Sequence, residues 1–506
     1  MKTIGVHAAR RATTVLCLLG ALPAFASAQV RVPQSLSLDE ALEIALDNNP
    51  AMQATRNDVN VANWNLTAAY GSWMPTASVN SGVSWQGVGE QRFGSITAQQ
   101  LGFLDQPSFL SSSYSASASF SINGRMLMAP GQASRNRDAT RAQVRSQEAT
   151  LRLNVTRAYL DVLRQTEGLR LAEQQLDRAQ FNLRLAQGRR EVLGSGTSID
   201  VQQAEVNVGR AEVTLLQSQT GLRTSRIRLL QQMGADLSAE PDLATTFSVT
   251  EPSWTAEGLY TMAMDRNPGL QALRAQEKSA SYGVNMARSS YFPSVSMSAS
   301  VSGFTRQASS TAAQEAQAIA AGVGRVQQCL ATNELLSALP TPPPPQNCSL
   351  LATPQSALIA IREQNRVFPF DFTNSPPSAG LSVSIPIFQG LSRQREVENA
   401  RAQLMDTRYR VGEQQLALRA DIEARTATVR TAYETALIEE RNQALADEQL
   451  RLAQERYRNG LSNFIDLVEA ETLKAQADRE RIVAIFTYHD AIADLEAVVG
   501  TPLRNP

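Results

Sequence analysis

Asn49-Pro50-Ala51-Met52-Gln53-Ala54 and Asn267-Pro268-Gly269-Leu270-Gln271-Ala272 are one phrase written twice, 218 positions apart. Trp73-Met74-Pro75-Thr76 returns as Tyr291-Phe292-Pro293-Ser294 at the same offset, so no gap opens between the two pairs. A second set keeps another distance: Gly194, Ile199-Asp200, Glu205 and Gly234 return as Gly460, Ile465-Asp466, Glu471 and Gly500, each 266 positions later. Single matches arise by chance, but constant offsets over long gapless spans do not. The chain is therefore two tandem copies of one unit, and repeats take precedence over any assignment of elements. The second copy holds 48 more residues than the first, the difference between 266 and 218.

Within each copy the hydrophobic period changes. A helical pattern runs from Pro50 to about Gly71 and gives way at Pro75. From there Val79, Ser81, Val83 and Trp85 alternate with polar or small neighbours, and Tyr114, Ala116, Ala118, Phe120 and Ile122 alternate with serines. In the second copy Val295, Met297, Ala299 and Val301 form a third run, and Leu381, Val383, Ile385 and Ile387 a fourth. A period of two gives a strand one apolar and one polar face. A soluble sandwich would bury the apolar face against a second sheet. A transmembrane barrel would turn it to lipid and line a wet lumen with serine. Each run is close to the length of about ten residues that a tilted membrane strand needs. Four strands cannot close a barrel with a lumen, so the barrel reading requires several chains, and three would give about twelve strands.

The helical stretches favour the barrel. Residues 131–193 contain no proline. Val155, Val162, Leu169, Leu176 and Leu183 fall at every seventh position, and Ala158, Ala172, Ala179 and Ala186 lie on a second series of the same period. After Gly194 the seam resumes with Val201, Val208, Leu215, Leu222 and Leu229, and Ala470, Ala477, Ala484 and Ala491 keep it in the second copy. Such seams pack helices side by side, with alanine allowing close approach. The 63 residues of 131–193 predict a helix of roughly 95 Å. The stretches 199–233 and 51–73 supply 35 and 23 residues, together 58, so two shorter helices stacked end to end would nearly match the long one. A hollow helical cylinder explains that match; a sandwich does not.

Composition removes most other chemistry. The chain of 506 residues has 47 basic and 48 acidic side chains, so no basic excess points to nucleic acid. Its histidines are His7 and His489, and its cysteines are Cys17, Cys329 and Cys348. Zinc sites and Cys–His nucleophile pairs are hard to build from that set, and no nucleophile motif occurs. The expectation is a protein that is not an enzyme, with no cofactor and no metal site. Residues 1–28 read as a secretory signal peptide: Lys2, Arg10 and Arg11, then the apolar Ala12–Ala24, then Ala26-Ser27-Ala28 as a small-residue cleavage site. A lipoprotein signal at Cys17 is the weaker alternative, because Leu16 stands where a small residue belongs. Arg10-Arg11 could also address the twin-arginine route. No later run of eighteen apolar residues would form a transmembrane helix.

The chain now resembles the TolC-like outer-membrane efflux proteins. The residues that carry the resemblance are Leu36-Ser37-Leu38-Asp39-Glu40-Ala41-Leu42 with Asn48-Asn49-Pro50, then Ile385-Pro386-Ile387-Phe388-Gln389-Gly390, then Tyr457-Arg458-Asn459-Gly460 leading to Ile465-Asp466-Leu467 and Ala470-Glu471. The resemblance implies a mainly α fold with a membrane β part. Three chains would share a twelve-stranded β-barrel, four strands each, continuous with an α-helical tunnel in the periplasm. It implies a homotrimer in outer-membrane lipid that serves as a passive exit duct for efflux or type I secretion. Its partners would be a periplasmic adaptor and an inner-membrane pump, with no nucleic acid. Residues 29–234 would form the first repeat, and 235–506 the second, with an extended extracellular loop at about 305–378. The competing reading is a trimeric structural or adhesive coiled-coil surface protein with a membrane anchor, which the duplicated strand–helix order does not favour.

The resemblance also suggests sites. Leu193-Gly194-Ser195 and Asn459-Gly460-Leu461 would be helical tips that meet the adaptor, although Leu193 and Asn459 stand where the family has valine. Asp200, Asp466 and Glu469 would form a carboxylate ring at the periplasmic aperture, and Tyr457 would belong to its gating network. Asp466 and Glu469, spaced i and i+3, share a helix face, and a merely solvated face is the alternative. Cys329 and Cys348 flank Pro340-Thr341-Pro342-Pro343-Pro344-Pro345 in the long loop. In an exported chain they are expected to form a disulfide, two free thiols being the alternative.

Overall fold

The computed structural model describes residues 32–88, 92–93, 95–97, 107–191, 198–245 and 247–503. The signal-peptide residues and the Leu193-Gly194-Ser195 tip lie outside them. The chain divides into two compact units, each drawing on both copies: 1–66, 133–283 and 400–506 in one, 67–132 and 284–399 in the other.

The helical unit repeats its local chemistry at the offsets seen in the sequence. Helix α1 (Leu38–Asn48) starts on Ser37, whose hydroxyl accepts from the Glu40 amide while Glu40 accepts from the Ser37 amide. This reciprocal cap satisfies two end groups at once. Helix α2 (Pro50–Gly71) opens on Pro50, whose missing N–H is not needed in a first turn. The Asn49 carboxamide oxygen accepts from the Met52 amide at 3.0 Å, and its nitrogen donates at 2.8 Å to the Gln232 carbonyl. Gln232 lies in the last turn of a later helix, α4 (Ser198–Met233), so one side chain joins the end of α4 to the start of α2. In the second copy Asn267 bonds the Leu270 amide at 2.7 Å and the Val498 carbonyl at 2.7 Å, joining α6 (Pro268–Arg288) to α10 (Phe464–Val499). Gly234 and Gly500 end α4 and α10 with φ of +68° and +82°. A Cβ would stand 2.5 Å from the Asn48 carbonyl oxygen at the first and 2.6 Å from that of Arg266 at the second. Only glycine fits both the conformation and the approach.

Helix α3 (Gly124–Glu191) precedes α4, α5 (Ala256–Arg266) precedes α6, and α9 (Ser392–Arg458) precedes α10. Around the first copy, Val144, Val155, Tyr159 and Val162 of α3 bury against Leu222, Leu229 and Met233 of α4 and Ala41, Ala45 and Met52. The second copy forms a like core from Leu259, Leu270, Leu418, Ile422, Val429, Tyr488 and Leu495. Each large apolar side chain so buried contributes about 1.5–3 kcal/mol. Of the predicted alanine series, Ala172, Ala179, Ala186, Ala477, Ala484 and Ala491 are all buried.

The predicted helix lengths need correction. Helix α3 has 68 residues and starts at Gly124, ahead of Pro130, whereas α2 and α4 have 22 and 36, together 58. In the second copy α9 has 67, against 21 and 36 for α6 and α10. The long helix exceeds the stacked pair by ten residues in each copy. Pro130 does not stop α3, and the hydrogen bond it cannot make is replaced. It lies near the start, and the Met126 carbonyl, which Pro130 cannot serve with an N–H, accepts from the Trp73 indole at 2.9 Å.

The other unit contains an antiparallel sheet of β1 (Thr76–Gln86), β2 (Phe109–Ile122), β3 (Ser294–Ala308) and β4 (Ser378–Ser384), paired in that order. The fourth run ends sooner than its pattern predicts, leaving Ile385 and Ile387 beyond the strand, since Pro386 has no N–H to extend a ladder. The register sorts the side chains by face. Ala77, Ala118 and Ala299 align, as do Val79, Ala116 and Val301, and Phe120, Met297 and Leu381. On the other face Ser78, Ser117, Ser300 and Ser378 cross the whole sheet in one row, with hydroxyl contacts of 3.0 Å between the first two and 2.8 Å between the last two. In the single chain the apolar face is uncovered, with Val79, Val83 and Trp85 78%, 68% and 70% exposed. Among the described residues, β1 and β4 each lack a neighbour on their outer side.

The 48-residue excess, expected as an extended loop, holds secondary structure of its own. It carries helices α7 (Ala312–Ser337) and α8 (Gln355–Gln364), and Cys329 and Cys348 are bonded to each other. Arg362 of α8 grips Glu315 of α7 with two hydrogen bonds of 2.8 and 2.7 Å, which hold the Glu315 carboxyl down at about 2.

Candidate functional site

The tip that joins α9 to α10 is built for a sharp reversal. Gly460 takes φ +75°, its amide donates to the Tyr457 carbonyl at 3.1 Å, and the Leu461 amide donates to the Arg456 carbonyl at 2.9 Å. This pair of bonds closes a helix end on a left-handed glycine. Asn463 then starts α10, its side-chain oxygen accepting from the Asp466 amide at 2.9 Å. Leu461 at the apex is 75% exposed.

Behind the tip, four helices share one apolar cluster. Ala186 of α3, Val201 and Ala204 of α4, Leu450 and Tyr457 of α9, and Phe464 and Leu467 of α10 are all buried in it. Tyr457 is only 1% exposed, with its ring 5.6 Å from that of Phe464. Arg189, near the end of α3, donates to the Tyr457 carbonyl at 2.8 Å and places its guanidinium carbon 4.3 Å from the centre of the Tyr457 ring. Among the described residues the Tyr457 hydroxyl has no acceptor or donor in hydrogen-bond geometry. Burial pushes its phenol up, Arg189 pulls it back, and the Asp200 charge adds to the rise. Asp200 thus lies within electrostatic reach of Tyr457.

Asp466 and Glu469 are exposed on α10. Asp466 sits in the first turn, where a carboxylate also complements the helix dipole. Sequence reasoning missed Arg189, which nothing in its local pattern distinguishes. It also missed a buried polar layer about three to five turns along from the tip. Asn182 of α3 donates to Glu471 of α10, and burial raises the Glu471 carboxyl to about 7 while Arg178 opposes the rise. Lys474 is buried, 2.5 Å from Asp478 and 3.4 Å from Asp447, and Gln443 donates to Asp478 at 3.1 Å. A signal for this layer was present: Lys474 is one of two lysines after the signal sequence and stands inside a heptad seam. Among the described residues no group of three or more His, Cys, Asp or Glu could hold a metal ion. No described helix is long and apolar enough to cross a membrane, which says nothing of strands.

The pyoverdine export outer membrane protein OpmQ of Pseudomonas aeruginosa is 31% identical over 166 residues, 32% of this chain and 34% of that protein. OpmQ of Pseudomonas putida is 26% identical over 273 residues, 52% of this chain and 56% of that protein. The matches thus span from about a third to just over half the length of these curated relatives. Among solved structures, CusC superposes with a TM-score of 0.65 at 16% identity over 92% of both chains. The outer membrane protein VceC of Vibrio cholerae gives 0.62 at 15% identity over 92% of this chain and 97% of its own. At such identities the likeness is one of fold, and the fold is that of outer-membrane channels, a mainly α chain with a β part. The profile described as outer membrane efflux protein matches residues 41–235 and 362–501, more than half of the chain, and the protein belongs to that family.

Proposed function

We propose that three copies of this chain close their sheets into one twelve-stranded barrel and form a passive exit duct through the outer membrane. The sheet carries this reading. In the single chain its apolar face is left uncovered, its opposite face is a field of serine, and among the described residues its two edge strands lack outer neighbours. In lipid such edges must pair, and pairing β1 of one copy with β4 of the next satisfies them. Nothing in the site calls for catalysis; the duct would move solutes by access and charge, with energy supplied from elsewhere.

In this reading the α9–α10 tip is the periplasmic aperture. Arg189 latches Tyr457 and holds the inner hairpin against α3. Asp200, Asp466 and Glu469 would line the opening in threefold array. Asn459-Gly460-Leu461, and Leu193-Gly194-Ser195 of the first copy, would present the surface met by a periplasmic adaptor, with an inner-membrane pump behind it. The exposed Leu461 side chain supports this role. The deciding experiment is single-channel recording of the purified protein in a planar bilayer, with native mass spectrometry of the same sample. Stepwise cation-selective conductance from a trimer is expected; a monomer, or a trimer that does not conduct, refutes the duct.

A further inference from the structure

We infer that the end of the sheet where strands give way to helices holds the phosphate head group of an anionic phospholipid. A cavity of about 480 Å³ opens there, lined by Arg125, Ser290, Ser392, Arg393 and Arg395 among others. Its size falls in the range of small-molecule sites, about 300–1,000 Å³.

The charges around it are unbalanced. Arg393 is only 7% exposed. Its Nε donates to Gln389 at 3.2 Å and its Nη1 to the Pro386 carbonyl at 3.0 Å, both neutral acceptors, and among the described residues Nη2 has no acceptor. Among the described residues neither Arg393 nor Arg395 has an ion-pair partner, while Arg125 pairs with Glu396. A buried cation without a counter-charge is unfavourable, and such groups are ordinarily paired. The helix ends sharpen the imbalance. Arg125 is the second residue of α3, and Arg393 and Arg395 are the second and fourth of α9, yet neither first turn holds an acidic residue. Helix N-termini carry partial positive charge and favour acids. Three arginines at two helix starts therefore line one cavity, with one carboxylate, Glu396, in answer. An anion removes the conflict, and arginine's planar fork suits phosphate oxygens.

The position supplies the source. β2 ends at Ile122, β3 begins at Ser294 and β4 ends at Ser384, all beside this cavity. The flanking Trp73, Tyr291, Phe292 and Phe388 are exposed, an aromatic belt of the kind that sits at lipid head-group level. A head group would thus be presented to the cavity by the bilayer itself. This assignment of source rests on the outer-membrane reading above.

The test is native mass spectrometry of the purified full-length trimer, titrated with phosphatidylglycerol, with phosphatidylcholine, or with inorganic phosphate alone. Wild type should retain phosphatidylglycerol over phosphatidylcholine, and R393Q/R395Q should lose that preference about tenfold or more, the effect of removing charge-assisted hydrogen bonds. Should the double variant fail to assemble, R395Q alone, altering an exposed side chain, carries the comparison. Equal retention of both lipids by wild type, or an unchanged preference in the variant, overturns the site. Binding of inorganic phosphate with no lipid retained overturns the lipid as its ligand. Conductance of the wild type, recorded separately, reports on the duct, so the two readings fail independently.

Discussion

Replacing Arg189 with alanine should loosen the aperture by about 2–4 kcal/mol per chain. The figure follows from two contacts. A hydrogen bond from a guanidinium to a carbonyl contributes about 1.5–3 kcal/mol, and a cation over an aromatic face about 0.5–1. At about 1.4 kcal/mol per factor of ten, the ratio of closed to open tip should fall by about 30- to 700-fold. The companion variants make the reasoning specific. Y457A removes the ring face and should open the tip similarly. Y457F keeps both contacts and should stay within about 1 kcal/mol of wild type, because the hydroxyl has no hydrogen-bond partner among the described residues. R189K keeps the charge but not the planar fork and should fall between. Trimers of each variant in planar bilayers would be compared for conductance and open probability at one voltage and salt. The latch is refuted if R189A conducts as wild type does, or if Y457F is as disruptive as Y457A.

Glu471 should make the packing of α3 on α10 pH-sensitive. Its folded pKa of about 7 lies above the ordinary 4.5, so the protonated form suits the fold; its contribution is complete below about pH 4.5 and is lost as pH rises through 7. The loss is at most about 3 kcal/mol, lessened by partial hydration, so E471Q should flatten thermal stability between pH 5 and 8, and an unaltered slope would contradict this. D466A/E469A should weaken cation selectivity and abolish block by trivalent cations, read as reversal potentials in a salt gradient; unchanged values would mean that these carboxylates face away from the lumen. C329S/C348S should destabilise the loop that carries α7 and α8 by about 3 kcal/mol, seen as faster proteolysis there, and leave conductance intact; lost conductance would assign that loop a part in transport.

Arg189, Tyr457 and Lys474 stand where the two copies differ, whereas Asp200 and Asp466 are the same residue in both. Position 457 is tyrosine but its first-copy counterpart is Glu191, and Arg189 corresponds to Glu455, which pairs instead with Arg451 at 2.7 Å. Lys474 corresponds to Val208. Duplication built the scaffold, and divergence placed an arginine of one copy against a tyrosine of the other.

What the sequence determined by itself is whatever local chemistry dictates. Asn-Pro at a helix start, glycine at a left-handed helix end and serine alternating with apolar residues each act within a few positions, so their repetition disclosed the duplicated elements, the two-faced strands and the alanine seams before any contact was known. The family followed from the same short phrases. Tertiary structure decided the rest, because the deciding partners are remote. Pro130 reads as a barrier until the Trp73 indole, 57 positions away, serves the Met126 carbonyl, and only then can α3 begin at Gly124. Arg189 is one arginine among many until folding carries it 268 positions to Tyr457. Burial likewise is a property of the assembled helices and not of the residue, and it alone makes Glu471 differ from its exposed counterpart Glu205.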